Sequence, residues 1–160
     1  MGNADGSLSW NLNEIAKALK ISPEAVREYF TDGRRVSFIL ERRLATEVLN
    51  ATLARSEGAG YDLVDASGAK WEVRSISDGG VYFCPSYMVG SGRSFDEPGF
   101  LAKLKEIKGY ILADITAFPD VPFWIVSAET VNDWWRQSAL GTTTKISRWN
   151  ALKLLQAIQK

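Results

Sequence analysis

Residues 60–77 read GYDLVDASGAKWEVRSIS. Asp62 stands before a polar turn, Ala66-Ser67-Gly68-Ala69, and Glu72 and Arg74 follow it on either side of Val73. The residues flanking the turn predict two strands, at about 61–65 and 70–77, joined as an antiparallel hairpin. Alternate residues of a strand share a face, so Glu72 and Arg74 point the same way. The hairpin register decides whether Asp62 joins them. Two acids converging at strand ends form a set of hard oxygen donors suited to magnesium. Such an ion activates water and neutralises charge developing on a phosphate, while a neighbouring cation orients that water. The plain alternative is a solvated strand face on which Glu72 and Arg74 pair.

Outward from the hairpin, residues 1–9 read as a flexible leader. NLNEIAKALK, from Asn11, puts Leu12, Ile15, Ala16 and Leu19 on one helical face. ISPEAVREYF follows, with Ser22 as N-cap, Pro23 at the first helical position and Glu24 in the first turn, and Asp32-Gly33 stops it. A third helix is expected from Arg34 to Ala54, with Val36, Ile39, Leu40, Leu44, Val48 and Leu49 as its buried stripe. SEGAG (56–60) breaks it.

Beyond the hairpin, VYFCP (81–85) reads as a short strand and YMVGSGRSFDEPG (87–99) as a glycine-rich loop. A helix over 100–107 is entered near Glu97-Pro98. GYILADI (109–115) is a continuous apolar run of strand length, which predicts a buried central strand. AFPDVP turns the chain, PFWIVS (122–127) is a strand, AETVNDWWRQ a helix and GTTTK a loop, and Ser147 caps a closing helix. This order predicts an α/β fold, a mixed sheet flanked by helices. It divides the chain into a leader and helical hairpin over 1–32 and a main domain over 33–160.

Composition narrows the function classes. The 160 residues are 46% hydrophobic and 24% charged, with six tryptophans, enough to bury a core without staples. With 19 basic and 19 acidic residues the formal net charge is zero, so nucleic-acid binding needs a local basic face. One cysteine, Cys84, rules out an internal disulfide and fits a reducing cytoplasm. The absence of histidine excludes a Cys-His nucleophile pair and a histidine-ligated zinc. No apolar run reaches membrane-spanning length, and the start lacks a basic-then-apolar signal segment. MGNADGS matches the short myristoylation pattern at Gly2, which carries no argument here.

The hairpin resembles the active-site hairpin of the PD-(D/E)xK nucleases, the fold of most type II restriction endonucleases, and is most similar to the small Pvu-type branch. There a helix leads through a glycine-containing loop to an aspartate, a turn of the Asp-x-x-Gly kind and Glu-x-Lys-Ser-Ile. Here these positions are Asp62, Asp65-Ala66-Ser67-Gly68 and Glu72-Val73-Arg74-Ser75-Ile76. The firm similarity covers about twenty residues, and a looser one runs back along the helix from Phe30 to Ala54.

The resemblance implies a restriction-endonuclease-like core, magnesium (manganese able to substitute) on Asp62, Glu72 and the Val73 carbonyl, and cleavage of duplex DNA by a homodimer. No nucleotide cofactor and no membrane are implied. Arg74 stands where the family has lysine. Arginine keeps its proton near neutral pH, so it can position water and stabilise phosphate charge but cannot take up a proton. A site with altered pH dependence, a slow site and a dead one all fit that departure. Glu41 is either an additional acid or a partner of Arg42 or a lysine.

DNA contacts are expected from Arg34 and Arg35, near Arg42 and Arg43, and from Arg93 with Ser91 and Ser94 in the glycine-rich loop. Lys145 and Arg148, after Thr142–Thr144, are expected to meet phosphate at a helix N-terminus. Ordinary solvated surface explains each of these as well. LNEIAKALKISPEAVREYF also has helix-turn-helix spacing, but Lys20 stands where glycine is usual. The second helix would show Glu24, Arg27 and Glu28 to the phosphates, so packing or dimerisation fits it better. Trp134, Trp135 and Trp149 read as core or subunit interface rather than as a base-stacking platform.

Overall fold

The computed structural model describes residues 3–56 and 60–158. Gly2, and Glu57 to Ala59 of the SEGAG break, lie outside the described residues. The chain begins with a strand, β1 (Gly6–Ser9), where its sequence reads as a leader. Only Leu8 of that strand is buried, so no two-residue alternation marks it; its order comes from pairing with residues 120–123.

The next three helices start on side-chain caps. They are α1 (Leu12–Leu19), α2 (Pro23–Phe30) and α3 (Gly33–Leu44). Asn11 accepts the Glu14 amide at 3.1 Å, Ser22 the Ala25 amide at 3.1 Å and Asp32 the Arg34 amide at 2.9 Å. Asp32 therefore starts α3 as well as following α2. The third helix does not reach Ala54. It widens into a π-turn at Ala45–Leu49, Asn50 takes a left-handed φ of 49°, and β2 (Thr52–Leu53) follows.

The remaining elements are β3 (Leu63–Val64), β4 (Lys70–Ile76), β5 (Val81–Tyr82), α4 (Glu97–Glu106), β6 (Gly109–Asp114), β7 (Asp120–Ser127), α5 (Ala128–Arg136), β8 (Lys145–Ile146) and α6 (Arg148–Gln156). The end of the GTTTK loop thus enters β8, which pairs with β5. β7 begins two residues earlier than PFWIVS suggests, within the segment read as a turn.

Six strands form one sheet in the order β1-β7-β6-β4-β3-β2. Only β4 and β6 are parallel neighbours, and α4 crosses between them. Every residue of β6 is buried, as its unbroken apolar run requires of a strand covered on both faces. Ile111 and Ala113 pack with Leu40, Leu44 and Val73 on one face. Tyr110 and Leu112 pack with Phe100, Val131 and Leu155 on the other. The protein is a mixed α/β fold with helices on both sides of a mixed sheet. Leu8, Ala16, Val26 and Phe30 share an apolar cluster with Leu63 and Trp71, so the segments before and after position 32 contribute to one core. No helix among the described residues is long and apolar enough to cross a membrane.

Candidate active site at the hairpin of the third and fourth strands

The turn is organised by Asp65. Its Oδ1 accepts from the Ser67 amide at 2.9 Å and hydroxyl at 2.6 Å and from the Ala69 amide at 3.0 Å, while Oδ2 accepts from the Trp71 indole at 2.9 Å. Those donors, Ser67 first and Trp71 next, hold the Asp65 carboxyl well below the usual range. Gly68 completes the turn at φ 86°, where a side chain would be strained. The resulting register pairs Leu63 with Trp71 and Val64 with Lys70, and its continuation sets Asp62 across from Glu72. Directly opposed residues share a face, so the acids meet.

The Asp62 carboxylate accepts the Val73 amide at 2.8 Å. Arg74 Nη1 donates to Glu72 Oε2 at 2.7 Å and to the Val73 carbonyl at 3.1 Å, and lies 3.8 Å from Asp62 Oδ2. Its Nη2 donates to the Cys84 carbonyl at 3.3 Å, and its guanidinium lies 5.0 Å from the Tyr82 ring centroid. The three expected side chains therefore meet at one point.

Burial first, then the neighbouring Glu72 charge, pushes the Asp62 carboxyl up to about 7. Asp62 therefore carries the pair's proton up to near neutrality, beside a Glu72 that stays ionised. Burial also works to raise Glu72, which is only 4% exposed, but Arg74 and Lys103 outweigh it and hold it below its usual value. Burial works against the Arg74 charge, and Glu72 ahead of the other neighbours keeps that charge in place.

Lys103 is the participant that the sequence does not announce. Its ammonium forms an ion pair with Glu72 Oε1, and the residue is 7% exposed. In LAKLKEIK it reads as one surface lysine among three, and only the docking of α4 on the sheet turns it inward. The group opens onto a cleft of about 1170 Å³, whose wall includes Asp62, Glu72, Val73, Arg74, Lys103 and Glu41. Glu41 thus faces the same space from α3.

The expected DNA contacts divide. Arg34 and Lys145 line the cleft. Arg35 lies instead beside an apolar groove between α1, α2 and α3, 3.6 Å from Asp32. Arg93 folds back on its own loop, donating to the Ser86 and Val89 carbonyls at 3.3 Å each, and Ser94 is exposed outside the cleft wall. Arg148 clamps Asp114.

Lys20 adopts a left-handed φ of 59°, the conformation that the usual turn glycine would take. Arg27 of α2 donates to the Phe118 carbonyl at 2.6 Å, which leaves that helix's outward charge to Glu24 and Glu28. Trp134 is buried edge-on to Phe83, and Trp135 lies against Phe95 and Phe100. Trp149 does not join the core: it is 72% exposed.

The donor set fits magnesium. Asp62 and Glu72 offer hard oxygens whose charge Arg74 and Lys103 balance here, and the Val73 carbonyl lies on the strand between Glu72 and Arg74. Among the described residues no three histidine, cysteine, aspartate or glutamate side chains gather as a metal cluster. An ion here would take two carboxylates, a carbonyl and water, a sparse protein shell that magnesium accepts. Neither a family model nor a curated protein sequence matches this chain.

Proposed function

We propose that the chain is a magnesium-dependent endonuclease of the PD-(D/E)xK kind, hydrolysing duplex DNA phosphodiesters as a homodimer in the cytoplasm. The observation that carries this reading is the meeting of Asp62, Glu72 and Arg74 in one cleft, with Arg74 Nη1 2.7 Å from one acid and 3.8 Å from the other. A bound magnesium, or manganese in its place, would supply water activation and charge neutralisation at the phosphate. Asp62, Glu72 and the Val73 carbonyl would hold it, and the proton on Asp62 leaves when both acids become ligands. Arg74 acts by donation, to the attacking water or to phosphate oxygens, since it keeps its proton. Arg34 and Lys145, on the cleft wall, give a chain of zero net charge local cations for the DNA backbone.

The apolar groove between the first three helices, lined by Ile15, Leu19, Ile21, Tyr29 and Ile39, is the face we assign to the second copy. Leu19 is 60% exposed there. A two-fold dimer presents one cleft to each DNA strand.

Incubation with mixed plasmid and phage DNA and magnesium tests the reading. Wild type should yield 5′-phosphate ends, and Asp62→Ala and Glu72→Ala should yield none. Intact DNA with both wild type and Arg74→Lys would overturn the enzymatic reading. A second reading, a nuclease-fold protein that binds DNA without cutting it, draws on the engagement of both Glu72 oxygens by cations. It requires binding without cleavage in magnesium and in manganese.

A further inference from the structure

We propose that Lys103 is the mobile cation of this site: it holds Glu72 while no metal is bound, yields Oε1 when metal arrives, and then donates to a phosphate oxygen of the substrate. The inference rests on the nuclease reading and assigns that site a fourth working residue.

The buried residues of α4 are Phe100, Lys103 and Leu104. Lys103 thus occupies the core-facing stripe, a position that packing alone would fill with an apolar side chain. A charge there costs desolvation and persists only against a partner. The partner is Glu72, whose two oxygens are divided between Lys103 on Oε1 and Arg74 on Oε2. A metal that takes Glu72 as ligand brings a dication against both of these cations, and like-charge repulsion favours the withdrawal of one.

The two cations differ in freedom. Arg74 is tethered through Glu72, the Val73 carbonyl, the Cys84 carbonyl and the Tyr82 face. Lys103 carries a point charge on a flexible four-carbon stem, and Glu72 is its ion-pair partner. Repulsion from a bound dication acts on both, and the less tethered one moves. A place for it exists at the cleft edge. Lys103 Nζ and Glu106 Oε1 each lie 3.8 Å from where a Gly60 Cβ would stand, and Gly60 has none. Residues 103 and 106 are neighbours on one helical face, so Glu106, whose Oε1 lies 3.5 Å from Lys70 Nζ, can share its carboxylate with the Lys103 ammonium as Glu72 releases it. Lys103, Glu106 and Gly60 all line the cleft, so the released ammonium faces the substrate's space.

The test follows the accessibility of one lysine in the full chain. Wild type is acylated with a water-soluble ester with and without magnesium, and each lysine is quantified by peptide mass spectrometry against exposed Lys17. Lys103 labelling should rise on the order of tenfold with magnesium, as a buried ammonium enters solvent, and Asp62→Asn should abolish the rise. Manganese binding, followed by the loss of its free-ion electron paramagnetic resonance signal, should persist in Lys103→Met and Lys103→Gln. Cleavage by both variants should fall by about a hundredfold, as for loss of one donor to a developing oxyanion. The glutamine variant keeps a hydrogen bond to Glu72 and guards against a folding defect. Lys103 that stays protected while manganese binds overturns the mobile role and leaves the nuclease reading standing. Wild-type cleavage by both variants overturns the phosphate contact. Manganese bound equally by wild type and Asp62→Asn overturns the metal site itself, and the inference with it.

Discussion

Arg148 clamps Asp114 with two parallel contacts across 34 residues of sequence, Nε to Oδ1 at 3.2 Å and Nη2 to Oδ2 at 2.8 Å. Asp114, at the end of β6, is wholly buried, and Arg148 is the first residue of α6. The pair therefore fastens the last helix to the central strand. The bidentate fork is worth more than a point contact, and its removal leaves a buried carboxylate with only the Thr116 amide and hydroxyl. Because the arginine is itself partly exposed, Arg148→Ala should cost about 2 kcal/mol rather than the full penalty of a deeply buried pair. That lowers Tm by about 6 °C in a domain of this size. An unchanged Tm in a thermal melt would show that the clamp contributes nothing.

Asp62 sets a pH dependence. Its folded value of about 7 lies above the ordinary 3.8, so the folded chain binds more protons than the unfolded chain in that interval. Stability from this group is fully present below 3.8 and is lost as pH rises through about 7. Glu72 is shifted the other way and acts below its ordinary value of 4.5, which leaves the higher window to Asp62. Melts with chelator present should show Tm falling from about pH 5 to about pH 8, and Asp62→Asn should flatten the slope. A wild-type profile that rises over this range would contradict a proton held on Asp62.

The first strand binds the chain's beginning to the sheet. Leu8 is 3% exposed and pairs with Val121 of β7. Leu8→Ala should cost about 3 kcal/mol through lost burial and the cavity it leaves, measured as a lower urea midpoint with unchanged slope. A loss below about 0.5 kcal/mol, the level of ordinary surface positions, would mean that β1 detaches freely.

Arg74 replacements should rank by what each leaves to Glu72. Arg74→Lys keeps a charge but gives up part of the fork, for about 1–2 kcal/mol at roughly 1 kcal/mol per hydrogen bond. Arg74→Met leaves a buried acid with Lys103 alone and should cost about 3 kcal/mol. Urea denaturation orders the two, and equal losses would show that the charge beside Glu72 is immaterial.

What could be read from the sequence depended on how local its cause was. Asn11, Ser22 and Ser147 act on amides three residues away; Ser22 and Ser147 cap the helices expected of them, and Asn11 caps the first helix. The apolar run of β6 and the turn at Asp65 to Gly68 are equally local, and with them came the convergence of Asp62, Glu72 and Arg74. β1 and β2 are too short to show a period and exist through their partners. The burial of Lys103 depends on how α4 docks, and the capture of Arg148 on where β6 ends. Neither distance is encoded by neighbours in the chain. Arg148 reads as a phosphate contact from its place at a helix N-terminus, and there its fork takes Asp114 instead.

The cleft wall has two sides with different foundations. Gly33, Arg34 and Ser37 come from α3, whose Val36 and Leu40 belong to the cluster beneath one face of the sheet; Ala102 and Lys103 come from α4, whose Phe100 and Leu104 belong to the cluster on the other. Any molecule seated there touches both halves at once and acts as mortar between them. Filling the cleft should therefore make the two halves melt together, as a sharper single calorimetric peak with a raised midpoint.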